Sequence, residues 1–81
     1  MKRYRIDLTS VDNKDHVTAL LSRMSFMRPR RIKGTDIVFA DFDANTTAES
    51  ISKICAIDSS LIQDASDWDF NSITPALETV W

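Results

Sequence analysis

The sequence has few of the residues that build covalent cross-links, metal clusters and phosphate-binding loops. Its 81 residues include one cysteine, one glycine and one histidine. The single cysteine, Cys55, excludes an internal disulfide and a cysteine-based metal cluster. The single glycine excludes a glycine-rich phosphate loop. Catalysis by His16 would need a positioned partner, which the sequence does not identify. Carboxylates and basic side chains therefore remain as the candidates for function.

Long apolar runs are also missing, and no basic segment precedes an apolar leader. We therefore expect neither a membrane span nor a signal peptide. Hydrophobic residues make up 43% and charged residues 27% of the chain, which is ordinary for a soluble globular protein. The length fits a single domain, residues 1–81, whose small core favours self-association. The lone cysteine fits a reducing, cytoplasmic setting.

Charge is divided sharply between the two halves of the chain. Residues 1–35 carry nine cations and three anions, whereas residues 36–81 carry one cation and nine anions. The overall net charge is −2. Such asymmetry indicates either a charged partner or mutual neutralisation of the halves within the fold. Both interpretations stay open at this point.

The first elements are a strand and a helix. Residues 3–8, RYRIDL, alternate apolar and polar side chains, which is typical of a strand with one wet face. Residues 14–26 repeat apolar side chains at helical spacing, and Pro29 requires the helix to end before it. The predicted buried stripe of this helix is Val17, Leu20, Leu21 and Met24.

A hairpin, a second helix and a weaker ending follow. Residues 30–34 and 36–44 predict paired strands that turn at the only glycine. Thr46 and Glu49 have the spacing of a capping box at the start of the second helix. Residues 61–70 predict an edge strand. The predicted stripe of the second helix is Ala48, Ile51, Ile54 and Cys55.

This order of elements predicts an α+β domain with the ferredoxin-like arrangement β-α-β-β-α-β. Two helices would cover one face of an antiparallel four-stranded sheet, with the first and third strands in the centre. Thr74 followed by Pro75 predicts a short C-terminal tail helix over residues 74–81. The alternative is a three-stranded sheet in which residues 61–81 are largely helical.

An acidic and aromatic surface is the first functional prediction. Aromatic residues flanked by charge, as in DWDF (67–70), are typical of interface hot spots. We therefore predict a non-enzymatic domain, without cofactor or metal, that binds or blocks a basic surface of a protein partner. The alternative is that the two aromatics close the core. The predicted surface comprises Asp41, Asp43, Asp64, Asp67, Trp68, Asp69 and Phe70.

A basic surface beside Phe39 is the second prediction. Basic side chains next to an exposed aromatic bind single-stranded nucleic acid by phosphate pairing and base stacking. An open sheet face that carries Ile37 and Phe39, or alternatively Val38, Ala40 and Phe42, is equally explained as a homodimer interface. The predicted nucleic-acid-binding residues are Arg3, Arg5, Arg28, Arg30, Arg31 and Lys33.

The layout resembles a known family. A strand that ends in IDL, then a helix, a hairpin and a second helix, is similar to the compact ferredoxin-like ribonucleases. These include the small CRISPR-adaptation subunit, the virulence-associated protein D toxins and a small antitoxin ribonuclease. The resemblance covers residues 3–70 as an order of elements. It implies Mg²⁺-dependent RNA cleavage by a dimer in which Asp7 is catalytic. In type, the small size and split charge also resemble phage or mobile-element inhibitors of host defence.

Overall fold

The computed structural model describes residues 2–26 and 29–67 and the backbone of residues 77–79. Within these ranges the chain forms an antiparallel sheet and two α-helices, which confirms the α+β class. A single 3-10 turn, Ser59–Leu61, precedes the fourth strand. The elements are β1 (Lys2–Asp7), α1 (Lys14–Met24), β2 (Arg30–Ile32), β3 (Ile37–Phe42), α2 (Ala48–Cys55), β4 (Ile62–Asp64) and β5 (Leu77–Thr79).

The strands are arranged in the order β4-β1-β3-β2-β5, and each neighbouring pair is antiparallel. β1 and β3 are neighbours in the interior of the sheet, with β4 on the other side of β1 and β2 on the other side of β3. The central pair is also the longest, because all six residues of β1 lie opposite residues of β3. The sheet has one strand more than the sequence predicts, since β5 adds to the outer side of β2.

The predicted C-terminal helix over residues 74–81 is wrong for residues 77–79, which form β5. In this strand Thr79 lies opposite Arg30, and Leu77 lies opposite Ile32. Without it, the outer edge of β2 would present unpaired backbone N–H and C=O groups. Pairing with that edge satisfies groups on both strands, and this long-range gain outweighs the local helix-start signal. The alternative, in which residues 61–81 are largely helical, is wrong for Ile62–Asp64 and Leu77–Thr79, because both segments are strands.

One face of the sheet packs against both helices and forms the main core. Alternate residues of β1 and β3 point to this face, as the period-two pattern predicts. From the helices, Val17 and Leu21 of α1 and Ile51 and Cys55 of α2 meet them in one buried cluster. Each large apolar side chain buried in this way contributes about 1.5–3 kcal/mol. The sheet residues of the core are Tyr4, Ile6, Leu8, Val38, Ala40, Phe42 and Ile62.

Helix α2 differs from the prediction in its start and in its stripe. Its capping box joins Thr47 to Ser50, one residue later than predicted. Its end is marked by Ala56, which adopts the left-handed conformation with φ 55° and ψ 45°. Ile54, predicted to be buried, is 54% exposed. Successive helix residues are rotated by about 100°, so a helix that turns Cys55 into the core turns Ile54 away from it.

In the described ranges, neither α-helix is long and apolar enough to span a membrane.

Candidate functional site

The sheet face opposite the helices carries charged side chains around one aromatic ring. Residues directly opposite each other on neighbouring strands point to the same face. Phe39 of β3 lies opposite Arg5 of β1 and Arg30 of β2, and Arg3 lies opposite Asp41. Three of the predicted basic residues and one of the predicted acidic residues therefore share this face.

Arg3 and Asp41 form a two-pronged ion pair across β1 and β3. Arg3 Nε donates to Asp41 Oδ1 at 2.6 Å, and Arg3 Nη2 donates to Asp41 Oδ2 at 3.1 Å. The side chain of Asp41 is only 8% exposed, and that of Arg3 is 26% exposed. A paired fork of this kind combines charge with fixed geometry. Asp41 therefore acts within the fold and does not offer its carboxylate to a partner.

Phe39 is buried although it lies on the face away from the helices. Its exposed fraction is 1%, and it is not a member of the core cluster beneath the helices. A base can stack only on a ring whose face is open to it. In this conformation Phe39 is therefore not a stacking platform for nucleic acid.

Two of the other predicted basic residues, Arg31 and Lys33, do not extend this face. Arg31 lies opposite Val38, which points toward the helices, so Arg31 belongs to the opposite side of the sheet. Lys33 is exposed in the turn between β2 and β3. Arg28 lies outside the described residues. Of the five predicted nucleic-acid-binding residues that the structure describes, three lie on this face, one lies on the other face and one lies in a turn.

Three exposed aspartates lie at or just after the ends of β3 and β4, and we call them the acidic pole: Asp43, Asp64 and Asp67. Strands β3 and β4 both end there, on either side of the start of β1, because Phe42 lies opposite Lys2 and Asp64 lies opposite Tyr4. Asp43 and Asp64 are two strand spacings apart across the sheet and about three residues apart along the strands. Their Cα atoms therefore lie within about 15 Å of each other. Lys2 stands between them.

Two carboxylates of the acidic pole accept hydrogen bonds within turns. Asp43 Oδ1 accepts from the backbone N–H of Asn45 at 2.9 Å, and Asp64 Oδ1 accepts from that of Ser66 at 2.8 Å. Hydrogen bonds from Ser66, and then the charge of Lys2, lower the pKa of Asp64. Lys2 Nζ lies 3.6 Å from Asp64 Oδ2, and both side chains are about half exposed. The lowered pKa keeps Asp64 negatively charged at neutral pH.

An exposed aromatic residue lies near Asp43 of the acidic pole. The backbone N–H of Phe26, just after α1, donates to the carbonyl of Asp41 at 2.9 Å. This bond fixes Phe26 two residues from Asp43 along β3. Its side chain is 65% exposed, which makes it one of two exposed large apolar side chains among the described residues. An aromatic side chain next to charge is a typical interface anchor.

The sequence did not identify Phe26 as a functional residue, because it fell at the end of the predicted helix α1. The aromatic anchors that the sequence predicted, Trp68 and Phe70, lie outside the described residues, as does Asp69. Asp41 is separated from the predicted acidic surface by its pairing with Arg3. The described part of that surface is therefore Asp43, Asp64 and Asp67, joined by Phe26.

Asp7 lies at the opposite end of β1, in a tight turn. Its Oδ1 accepts from the backbone N–H of Thr9 at 3.0 Å and from the Thr9 hydroxyl at 2.6 Å. These bonds, and then the charge of Arg5, lower the pKa of Asp7. In the described residues no group of three His, Cys, Asp or Glu side chains is placed to hold a metal ion. The observed role of Asp7 is thus to shape the turn after β1.

A sequence signal does exist for these turns. Among the described residues, four aspartates are followed two residues later by serine, threonine or asparagine, and each of these carboxylates accepts a hydrogen bond from that residue's backbone N–H. Aspartate is favoured in turns for this reason. The pairs are Asp7–Thr9, Asp43–Asn45, Asp58–Ser60 and Asp64–Ser66.

Comparison with protein-family models, with curated proteins and with solved structures found no match to this chain.

Proposed function

We propose that this chain is a non-enzymatic binding domain that engages a basic surface of a protein partner through the acidic pole and Phe26. The observation that carries the proposal is the placement of exposed Phe26 near the exposed carboxylate of Asp43, at the end of the sheet where β4 also ends with exposed Asp64. Occupying such a surface would also block it, so the same contact would serve a small inhibitor of host defence carried by a phage or mobile element.

Two features support a contact of this kind. The carboxylates of Asp43 and Asp64 are oriented by turn hydrogen bonds before a partner arrives, which lowers the ordering cost of binding. Charge at the rim speeds association and sets specificity, while an aromatic anchor supplies most of the affinity. Phe26 and the acidic pole together provide both components.

We also propose that the domain is ferredoxin-like, extended by β5. The order of β1, α1, β2, β3, α2 and β4 along the chain and the central position of β1 and β3 support this assignment. The fifth strand at the outer side of β2 is a departure from the four-stranded pattern.

The test removes charge without removing the turns. In the double variant Asp43→Asn/Asp64→Asn, each asparagine side-chain oxygen still accepts the turn hydrogen bond. The control is Asp15→Asn/Asp36→Asn at the other end of the sheet, which changes the net charge by the same amount. Tagged proteins are used to capture partners from a lysate of the host, and the captured partner is then titrated with each variant.

We expect the double pole variant to bind the captured partner at least about tenfold more weakly, a loss of about 1.4 kcal/mol. Phe26→Ser should weaken binding further through a faster dissociation rate. The control should bind like the wild type. Equal affinities for the pole variant and the control would refute the proposal, because the location of the charge would then not matter.

A further inference from the structure

A cleft of about 330 Å³ lies at the end of the sheet opposite the acidic pole. It is bounded by the loop between β1 and α1 and by the segment that joins α2 to β4. Val11, Ile57 and Leu61 supply apolar lining, and Asp12 and Asp58 supply carboxylates. Its volume is near the lower end of the range for small-ligand sites, about 300–1,000 Å³.

Both walls of the cleft are braced by backbone hydrogen bonds. The N–H of Val11 donates to the carbonyl of Leu8 at 3.0 Å, and the N–H of Leu61 donates to the carbonyl of Asp58 at 3.1 Å. On the α2 side the chain turns at Ala56, the only described residue other than glycine with positive φ. The shape of the cleft is therefore set by the fold before any ligand binds.

The charge of the cleft is negative. Asp58 Oδ1 accepts from the backbone N–H of Ser60 at 2.9 Å, and hydrogen bonds from Ser60 lower the pKa of Asp58. None of the described residues that line the cleft is cationic. The neighbouring cation, Lys14, is directed to Asp36, with Nζ and Oδ2 3.1 Å apart. Because α1 begins and α2 ends here, their dipoles have opposite signs, and the two carboxylates decide the local potential.

We propose that this cleft binds an alkylammonium group. The apolar stem would lie against Val11, Ile57 and Leu61, and the ammonium would lie between Asp12 and Asp58. A stem with a charged tip matches a lining of this composition, whereas a phosphate or carboxylate would be repelled. This site is separate from the acidic pole and does not depend on the function proposed for it.

The geometry favours ammonium over guanidinium. A guanidinium is a planar fork that pairs best with both oxygens of one carboxylate. Asp58 already accepts from the Ser60 amide through Oδ1, so its carboxylate is partly engaged before a ligand binds. A compact ammonium with three donors can instead bridge carboxylates from two different loops. The shared chemistry fits either a lysine side chain of a partner or a free alkylamine.

The experiment titrates three probes into the isotopically labelled full-length protein and follows backbone amide shifts by NMR. N-acetyl-lysine amide represents a peptide lysine, and n-pentylamine represents a free amine. N-acetyl-norleucine amide has the same stem as lysine without the ammonium. We expect saturable shifts confined to residues 10–13 and 56–61 with one or both amines, and binding of the neutral probe at least about tenfold weaker. The amine that binds identifies the source.

The variant Asp12→Asn/Asp58→Asn should weaken amine binding at least about tenfold, while its well-dispersed spectrum reports that it is folded. The control Asp15→Asn/Glu49→Gln, which makes the same change in net charge at exposed positions outside the cleft, should bind like the wild type. Three results would each overturn the proposal: no saturable shifts with either amine, equal binding of the neutral probe, or unchanged binding by the cleft variant.

Discussion

The ion pair between Arg3 and Asp41 allows a quantitative test of the fold. It joins the two central strands, and Asp41 is nearly buried while Arg3 is about one-quarter exposed. We consider the single variants Arg3→Met and Asp41→Val and the double variant that combines them. The two replacements remove the charges while keeping side chains that suit a strand. Together with the wild type they form a double-mutant cycle.

The two single variants should differ in cost. Arg3→Met leaves the carboxylate of Asp41 buried without its partner. Breaking a fully buried pair in this way costs about 3–5 kcal/mol, and because water reaches part of Arg3 we expect about 2–3 kcal/mol here. Asp41→Val should cost about 1 kcal/mol, since the guanidinium can turn to water. The double variant should cost no more than about 1 kcal/mol, because apolar replacement of a buried pair is often neutral.

The assay is urea unfolding of the four proteins at neutral pH, which gives the free energy of unfolding for each. These values predict a coupling energy of at least about 2–3 kcal/mol between Arg3 and Asp41. The exposed pair Lys14–Asp36 provides the comparison, and its cycle should give about 0–1 kcal/mol. A coupling for Arg3 and Asp41 that is no larger than that of the exposed pair would refute the reasoning from burial.

Two further predictions concern turns. Ala56→Gly should raise the free energy of unfolding by about 0.5–1 kcal/mol, because glycine adopts the left-handed conformation of this helix end without the clash that alanine has; an unchanged or lower urea midpoint would contradict it. The pKa of Asp7 is lowered in the fold, so its contribution to stability is present above about pH 4 and is lost as the pH falls through the lowered value. In the variant Asp7→Asn, the free energy of unfolding should therefore decrease less between about pH 5 and pH 2 than it does in the wild type. Urea midpoints that fall as steeply as those of the wild type would contradict this.

Much of the central fold could be predicted from periodicity. The alternation of apolar residues in β1 and the helical spacing in α1 place side chains correctly, because burial of one face is a local pattern. Pro29 and Gly34 mark a helix limit and a turn through their own backbone restrictions. What the pattern could not show was which face of β3 meets the helices, since its residues are apolar on both sides.

The rest depends on contacts between residues far apart in sequence. Arg3 and Asp41 were assigned to two different surfaces, because only the register of β1 and β3 places them opposite each other. The exposure of Phe26 depends on its bond to the end of β3. Strand β5 forms on the edge of β2, which is about 45 residues away in the chain. None of these pairings has a local signal.

The placement of β5 has a consequence for the behaviour of shortened chains. β5 occupies the outer side of β2 and, like β4 at the other edge, is three residues long. Short edges offer a poor template to another extended chain. A chain that lacked residues 77–79 would expose the backbone of Arg30–Ile32, and a strand from a second copy could take the vacated place. By pairing with β2, β5 covers the edge at which strand exchange or fibre growth would otherwise begin.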